Sequence, residues 1–137
     1  MTRRLRVTVP LLLALTFAQC GRTDDHGTPL VAVQRIQSGD LTIVLLAPTD
    51  ALKPTRNYCT LEFRRDGTLV DVGSVAVRTT MTMEGQPMDG FVTEVKQAGT
   101  GRYEVQMVLA MTGDWKIPVT WNGPLGQGSA EFSASVR

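Results

Sequence analysis

Short runs of β-branched and apolar residues, separated by turn-forming residues, are the feature that most restricts the fold of this 137-residue chain. From residue 30 onward such runs recur about every ten to fifteen residues, with Gly, Pro, Asn and Asp between them, and no segment has a helical period. This spacing predicts an all-β domain, a two-sheet sandwich of about seven or eight short strands. The runs are 30–37, 40–47, 57–64, 69–72, 73–83, 91–97, 102–111, 115–121 and 129–136.

Alternation within these runs predicts which side chains face the core, because successive residues of a strand point to opposite sides. The three clearest core-facing series are Tyr103, Val105, Met107, Leu109 and Met111; Trp115, Ile117, Val119 and Trp121; and Ala130, Phe132, Ala134 and Val136. The same alternation places Cys59 on the apolar side of its strand. Pro118 cannot donate a backbone hydrogen bond, which predicts an edge position or a bulge for it.

The first nineteen residues are predicted to be a secretory signal peptide. Three arginines precede the mostly apolar run 7–18, which is too short to cross a bilayer, since that takes about 20 residues. We therefore expect residues 1–19 to be removed, residues 20–29 to form a flexible tether, and residues 30–137 to form the sandwich domain. The expected location is extracytoplasmic.

Cys20 leaves two alternatives for how the signal is removed. It follows the apolar run after one residue, Gln19, much as in a bacterial lipoprotein, where the lipidated cysteine becomes the new N-terminus and anchors the protein to the envelope membrane. Alternatively, ordinary cleavage after Ala18 would release a soluble secreted or periplasmic protein. In that case an oxidising compartment would allow a disulfide between Cys20 and Cys59.

Composition and residue placement argue against several classes of function. The chain has 14 Lys and Arg against 13 Asp and Glu, so it lacks the basic footprint of a nucleic-acid-binding protein. Its single histidine, His26, lies in the expected tether, where a catalytic side chain could not be held in place. Glu62, Glu94 and Glu104 fall on outward strand positions and are expected to be solvated. We therefore expect no enzymatic activity.

Methionines are the unusual feature of the second half of the chain. Met81 and Met83 are two residues apart, hence on one side of a strand, and Met88 follows on the expected connecting loop. Thioether sulfur is a soft ligand that suits Cu(I), so these three residues are a candidate metal site. The competing interpretation is that they fill gaps in the core, as expected for Met107 and Met111.

The stretch from Asn57 to the C-terminus resembles the YtkA-like domain, a group that overlaps proteins described as FixH-like. The resemblance is carried, in order, by Asn57-Tyr58, Asp66-Gly67, Val75 and Val77, Met81 and Met83, Pro87-Met88, Gly101-x-Tyr103 and Met111-x-Gly113-x-Trp115. It implies an immunoglobulin-like β-sandwich in the bacterial envelope with no established catalytic activity. Some relatives neighbour copper, metal-efflux or oxidase-assembly proteins.

Three hypotheses for function follow. The first is a lipid-anchored, non-enzymatic accessory module, expected to be monomeric, that presents a sheet edge or loop end to a protein partner in a transport or assembly system of the envelope. The second is a Cu(I)-handling protein that uses Met81, Met83 and Met88, with Cu(I) as its cofactor or cargo. The third is a purely structural lipoprotein.

Overall fold

The computed structural model describes residues 21–24 and 27–137, and this part of the chain contains eleven β-strands and no helix. The predicted all-β fold is confirmed, with more strands than the sequence indicates. The strands are β1 (Val31–Ser38), β2 (Leu41–Ala47), β3 (Arg56–Arg65), β4 (Thr68–Leu69), β5 (Ser74–Val77), β6 (Thr80–Met83), β7 (Gln86–Asp89), β8 (Phe91–Gln97), β9 (Arg102–Val108), β10 (Gly113–Gly123) and β11 (Gly126–Val136). A helix able to span a membrane is absent from the described residues.

The strands form two antiparallel sheets that pack face to face. The six-stranded sheet has the order β1-β2-β3-β9-β8, with β4 also paired to β3. The five-stranded sheet has the order β11-β10-β6-β7, with β5 also paired to β10. One large core cluster of buried residues lies between them, which is the arrangement of a β-sandwich.

The core-facing series predicted from alternation are confirmed. Trp115 is 1% exposed, and Met107 and Phe132 are fully buried. Phe63 of β3 contacts the Tyr103 ring at a centroid distance of 5.6 Å and the Trp121 ring at 5.3 Å, both edge to face. The contact with Trp121 joins the two sheets, and the contact with Tyr103 links neighbouring strands of one sheet. Edge-to-face aromatic pairs stabilise a core beyond the area they bury.

Strand β2 is buried on both sides. Its inward residues join the main core, while Val44 and Leu46 point outward and form a second small cluster with Leu30. A strand covered on both sides has a continuous apolar sequence rather than an alternating one, and Leu41–Ala47 has that pattern. The segment that precedes β1 therefore covers part of the outer face of the six-stranded sheet.

The predicted strand 73–83 is divided in two, which also explains the position of Pro118. β5 and β6 both pair with β10, and Arg78 lies between them with its N–H donating to the Pro118 carbonyl at 3.0 Å. The amide and carbonyl of one strand residue face the same side, so the nitrogen of Pro118 faces the interruption between β5 and β6. The prediction of an edge strand is wrong, because β10 is an inner strand whose neighbour is broken beside the proline.

Two further segments differ from the sequence prediction. β4 keeps only the start of the predicted strand 69–72. Residues 86–89, expected in a connecting loop, form β7 and pair with β6. The turn between β6 and β7 is Glu84-Gly85, with φ angles of 50° and 77°, the conformation of a two-residue type I′ hairpin turn.

Candidate functional site

The hairpin of β6 and β7 forms one side of the five-stranded sheet. β6 pairs with β10, and β7 pairs with β6, while no other described strand pairs with β7. The hairpin is short, with four residues in each strand. It therefore presents a free edge and an exposed turn to the surroundings.

The structure brings the three candidate methionines onto one face of this hairpin. Met81 and Met88 are directly opposite each other in the register, and Met83 lies two residues beyond Met81 on the same side. Opposite residues of an antiparallel pair have Cβ atoms about 4.5–5.5 Å apart, and diagonal neighbours about 7–8 Å. We call Met81, Met83 and Met88 the methionine face.

Exposure increases along the methionine face from the core to the solvent. Met81 is 7% exposed and belongs to the core, Met88 is half-buried against the core, and Met83 is 42% exposed. Across β10, Met81 is in register with Trp115. Core packing therefore explains the position of Met81 and the buried part of Met88. Met83 lies on the same side of the hairpin, where the six-stranded sheet no longer covers it.

The chemistry of the methionine face suits two kinds of ligand. Thioethers bind soft cations such as Cu(I), and flexible methionine side chains also adapt to apolar protein surfaces. The described residues contain no group of three or more His, Cys, Asp or Glu side chains placed to hold a metal. Pro87 lacks an N–H and so limits the addition of a further strand at β7, which leaves side-chain contacts as the main mode of binding here.

A second feature, on the outer face of the six-stranded sheet, is a buried carboxylate that sequence reasoning missed. Glu62 was expected to be solvated, but it is 1% exposed. Its Oε2 lies 2.8 Å from Arg64 Nη2 and 3.4 Å from Arg22 Nε, and its Oε1 lies 3.5 Å from Arg102 Nε. A buried charge needs such partners, and this set gives Glu62 a structural role.

The segment before β1 covers Glu62. The Leu30 N–H donates to the Arg22 carbonyl at 2.9 Å, and Arg102 Nη2 donates to the Thr23 carbonyl at 3.0 Å. Thr23 and Pro29 form an isolated antiparallel bridge. The described residues of the predicted tether thus fold back on themselves and contact the outer face of the sheet.

A cleft of about 370 Å³ lies between this segment and strands β3 and β9. It lies on the outer face, and its wall combines the Tyr58 side chain with apolar and polar groups. The lining residues are Asp24, Thr28, Leu30, Pro48, Tyr58, Cys59, Thr60, Glu104, Val105 and Gln106. The sequence indicates nothing of this cleft, because it depends on how the N-terminal segment folds back.

Cys59 is a buried free thiol in the core cluster between the sheets. Burial raises its pKa to about 12, so the thiol is protonated and unreactive at neutral pH. Arg22, by contrast, lies on the outer face of the same sheet, beside Glu62. Cys20 and His26 lie outside the described residues, so lipidation of Cys20 stays a prediction.

Comparison with known proteins identifies the fold and the family. The YtkA-like family model matches residues 35–120. No curated protein is significantly similar to the chain in sequence.

Three solved structures are similar to this chain in part. A DUF4426 family protein from Pseudomonas aeruginosa PAO1 has a TM-score of 0.50 at 12% identity, with 75% of this chain and 96% of that chain covered. The Lin-41 filamin domain has a TM-score of 0.46 at 13% identity, covering 76% and 98%. A DUF4785 family protein from Legionella pneumophila subsp. pneumophila str. Philadelphia 1 has a TM-score of 0.47 at 14% identity, covering 73% and 29%. The first of these supports the immunoglobulin-like fold.

Proposed function

The chain belongs to the YtkA-like family, whose model matches well over half of it, and we propose that it is a non-enzymatic accessory module of the bacterial envelope. In this proposal a lipid on Cys20 anchors the protein, and the methionine face binds a protein partner of a membrane transport or assembly system. The observation that carries the proposal is the arrangement of Met81, Met83 and Met88 on one face of a hairpin with a free edge.

Two aspects of the methionine face support binding of a protein. Met83 is one of the few large hydrophobic side chains that are exposed among the described residues. It continues into half-buried Met88, so a partner can bury a connected apolar surface there rather than a single side chain. Methionine surfaces adapt to a partner because the unbranched side chain has three rotatable bonds.

The placement of ionisable groups supports a non-enzymatic role. Catalytic carboxylates face a site that a substrate can enter, whereas the Glu62 oxygens face three arginines. Cys59 is enclosed in the core with a raised pKa, so it is not an available nucleophile.

Lipidation is supported by the separation of the two cysteines. In the sequence Cys20 comes two residues before Arg22, which lies on the outer face, whereas the Cys59 side chain belongs to the core on the inner face. A disulfide between them would require Cys59 to leave the core, while a lipid on Cys20 requires no change in the domain.

Co-purification from the membrane fraction tests partner binding at the methionine face. Met83→Glu places a charge on the exposed part of that face, and Leu125→Glu is the matched control because Leu125 is 39% exposed in the turn between β10 and β11. We expect a protein recovered with the wild type and with Leu125→Glu to be lost with Met83→Glu. Equal recovery with both variants, each shown to be folded by circular dichroism, would contradict the proposal.

Cu(I) binding is a second candidate function of the same face, favoured by the register that sets Met81 opposite Met88. Titration of the mature protein with Cu(I) against a competing chelator tests it. The Met81/Met83/Met88→Leu variant keeps side-chain volume and so should stay folded, and Met107→Leu is the control in the core. Binding lost only in the triple variant would establish the site. No competition with the chelator would reject Cu(I) and leave the protein-binding proposal standing.

A further inference from the structure

The N-terminal segment is fixed to the domain immediately after Cys20. The Arg22 side chain contacts Glu62, and the Arg22 carbonyl accepts a hydrogen bond from the Leu30 N–H. Leu30 itself is 9% exposed and packs with Val44 and Leu46 of β2. These contacts combine an ion pair, a backbone hydrogen bond and an apolar cluster, so Arg22 and Leu30 are both fixed to the domain.

This attachment sets the distance between a lipid and the domain. Only Gly21 separates Cys20 from Arg22, and two residues of fully extended chain span at most about 7 Å. A lipid on Cys20 inserts in the bilayer, so Cys20 lies at the membrane surface. The part of the outer face beside Arg22 and Glu62 is then held within about that distance of the headgroups.

We infer that the outer face of the six-stranded sheet rests on the phospholipid surface, with Tyr58 and Phe91 as the side chains that enter the headgroup region. This inference rests on the lipidation of Cys20 in the proposed function. The domain then has a fixed orientation on the membrane, in contrast to the flexible tether that the sequence predicts for residues 20–29.

The two aromatic residues lie on the face that carries the attachment. Tyr58 alternates in β3 with the buried residues Asn57 and Cys59, so it points outward, and it is 56% exposed. Phe91 is in register with Val108, which alternates with the buried Met107, so Phe91 also points outward. Phe91 is 68% exposed, more than any other large hydrophobic side chain among the described residues.

Exposed aromatic residues are suited to a membrane interface. A tyrosine ring places its apolar body among the acyl chains and its hydroxyl among the headgroups, and a phenylalanine ring gains free energy by leaving water. Basic and acidic residues both occur around them, with Lys96 in register with Glu104 and Arg56 in register with Val108. Because the charges have both signs, insertion of the aromatic rings, rather than attraction to anionic lipid, holds the face in place.

This orientation has a consequence for the methionine face. Met81, Met83 and Met88 belong to the five-stranded sheet, the layer on the other side of the core. With the six-stranded sheet on the membrane, the hairpin of β6 and β7 lies on the layer away from the lipid. The methionine face points from this layer toward the six-stranded sheet, and a partner reaches it at Met83, next to the exposed turn of the hairpin.

Nitroxide labelling of the lipidated, full mature protein in vesicles of phosphatidylethanolamine and phosphatidylglycerol tests the orientation. Labels are placed by Phe91→Cys and Tyr58→Cys on the outer face and by Leu125→Cys as the matched control, while Cys59 stays unlabelled because it is enclosed in the core. In going from detergent to vesicles, we expect labels at 58 and 91 to lose several-fold in collisions with a water-soluble nickel chelate and to gain collisions with oxygen. The label at 125 should keep its detergent values.

The other outcomes are distinguishable. If mass spectrometry shows no lipid on Cys20, the inference is overturned together with the anchoring part of the proposed function. If Cys20 is lipidated but labels 58 and 91 stay as open to nickel as label 125, the orientation alone is overturned. Labels protected from both nickel and oxygen would mean that protein rather than lipid covers the face, which also overturns the inference.

Discussion

At the scale of single residues, the carboxylate of Glu62 holds the N-terminal segment and two strands together. Its Oε2 accepts a hydrogen bond from Arg64 Nε at 2.9 Å, and the carboxylate also faces Arg22 of the segment and Arg102 of β9. Glu62 is 1% exposed, so its surroundings have a low dielectric constant. Removing the carboxylate leaves the arginines without their partner, and removing the arginines leaves a buried carboxylate without its partners. The net value of such a cluster is modest, but the cost of breaking it is large.

We therefore expect Glu62→Ala to lower the free energy of unfolding by about 3 kcal/mol. This is the low end for a broken buried pair, because the three arginine side chains are 20–32% exposed and water can solvate them in part. The matched control is Glu131→Ala, which removes an exposed pair with Lys116 at 3.3 Å and should cost less than about 1 kcal/mol. Urea unfolding of both variants measures the difference. Equal costs would show that Glu62 is not structurally important.

Cys59 gives the protein a sensitivity to alkaline pH. Its pKa is about 12 in the folded state, against 9.0 for an exposed thiol, because burial disfavours the thiolate. Below pH 9 both folded and unfolded states keep the proton, so the full stability is present. As pH rises from 9 towards 12 the unfolded state loses its proton first, and the free energy of unfolding falls by up to about 1.4 kcal/mol per pH unit.

Urea unfolding at pH 7, 9 and 10.5 measures this effect. We expect the loss of stability above pH 9 to be smaller in Cys59→Ala than in the wild type. Tyr103, whose pKa is also raised by burial, adds a loss above pH 10 in both proteins and so does not affect the comparison. Parallel pH curves for wild type and variant would contradict the assignment of the slope to Cys59.

At the scale of secondary-structure elements, the passage from β7 to β8 is the point where the chain changes sheets beside the methionine face. Gly90 forms this connection, and its N–H donates to the Thr79 carbonyl at 3.0 Å. A Cβ at Gly90 would lie 2.9 Å from the Val108 carbonyl oxygen and 3.1 Å from Trp115 Cζ3. The two sheets approach closely here because the residue has no side chain.

Gly90→Ala should thus destabilise the protein by about 1–3 kcal/mol, the usual cost of an inserted methyl group in a packed region. Gly21→Ala is the control, because a Cβ there has no atom within 4 Å and the change should stay within about 0.5 kcal/mol. Thermal or urea unfolding compares the two. A neutral Gly90→Ala would show that the sheets can separate at this point without cost.

Sequence patterns predicted the strands and inner faces well, because alternation reports burial directly. The phase of Trp115 and Trp121 predicted their place in the core. The sequence does not predict the hairpin of β6 and β7, because its turn has Glu84 at positive φ. Type I′ turns are usually recognised by Asn-Gly or Asp-Gly, and Glu-Gly is not such a signal.

The candidate site could be predicted only as a set of residue types. The spacing of Met81 and Met83 placed them on one side of a strand, but the position of Met88 opposite Met81 depends on the hairpin register. Glu62 was misjudged because its outward position on the strand indicates exposure, while the N-terminal segment that covers it is distant in sequence. Burial by a segment distant in sequence does not change the alternation of apolar and polar residues within the strand, so the pattern does not reveal it.

At the scale of the whole molecule, the two sheets have separate roles in this account. The six-stranded sheet carries the N-terminal attachment and the exposed aromatic residues, and the five-stranded sheet carries the methionine face. In the proposed function, an anchor on one layer and the hairpin of β6 and β7 on the other are joined through one packed core.

A photo-reactive amino acid introduced at Met83 in cells tests partner binding, because it reports contact at the methionine face itself. The same amino acid at Leu125 is the control, since both positions are similarly exposed, at 42% and 39%. We expect a discrete cross-linked protein adduct at position 83 that is absent at position 125. Identical adduct patterns at the two positions, or no adduct at position 83, would contradict it.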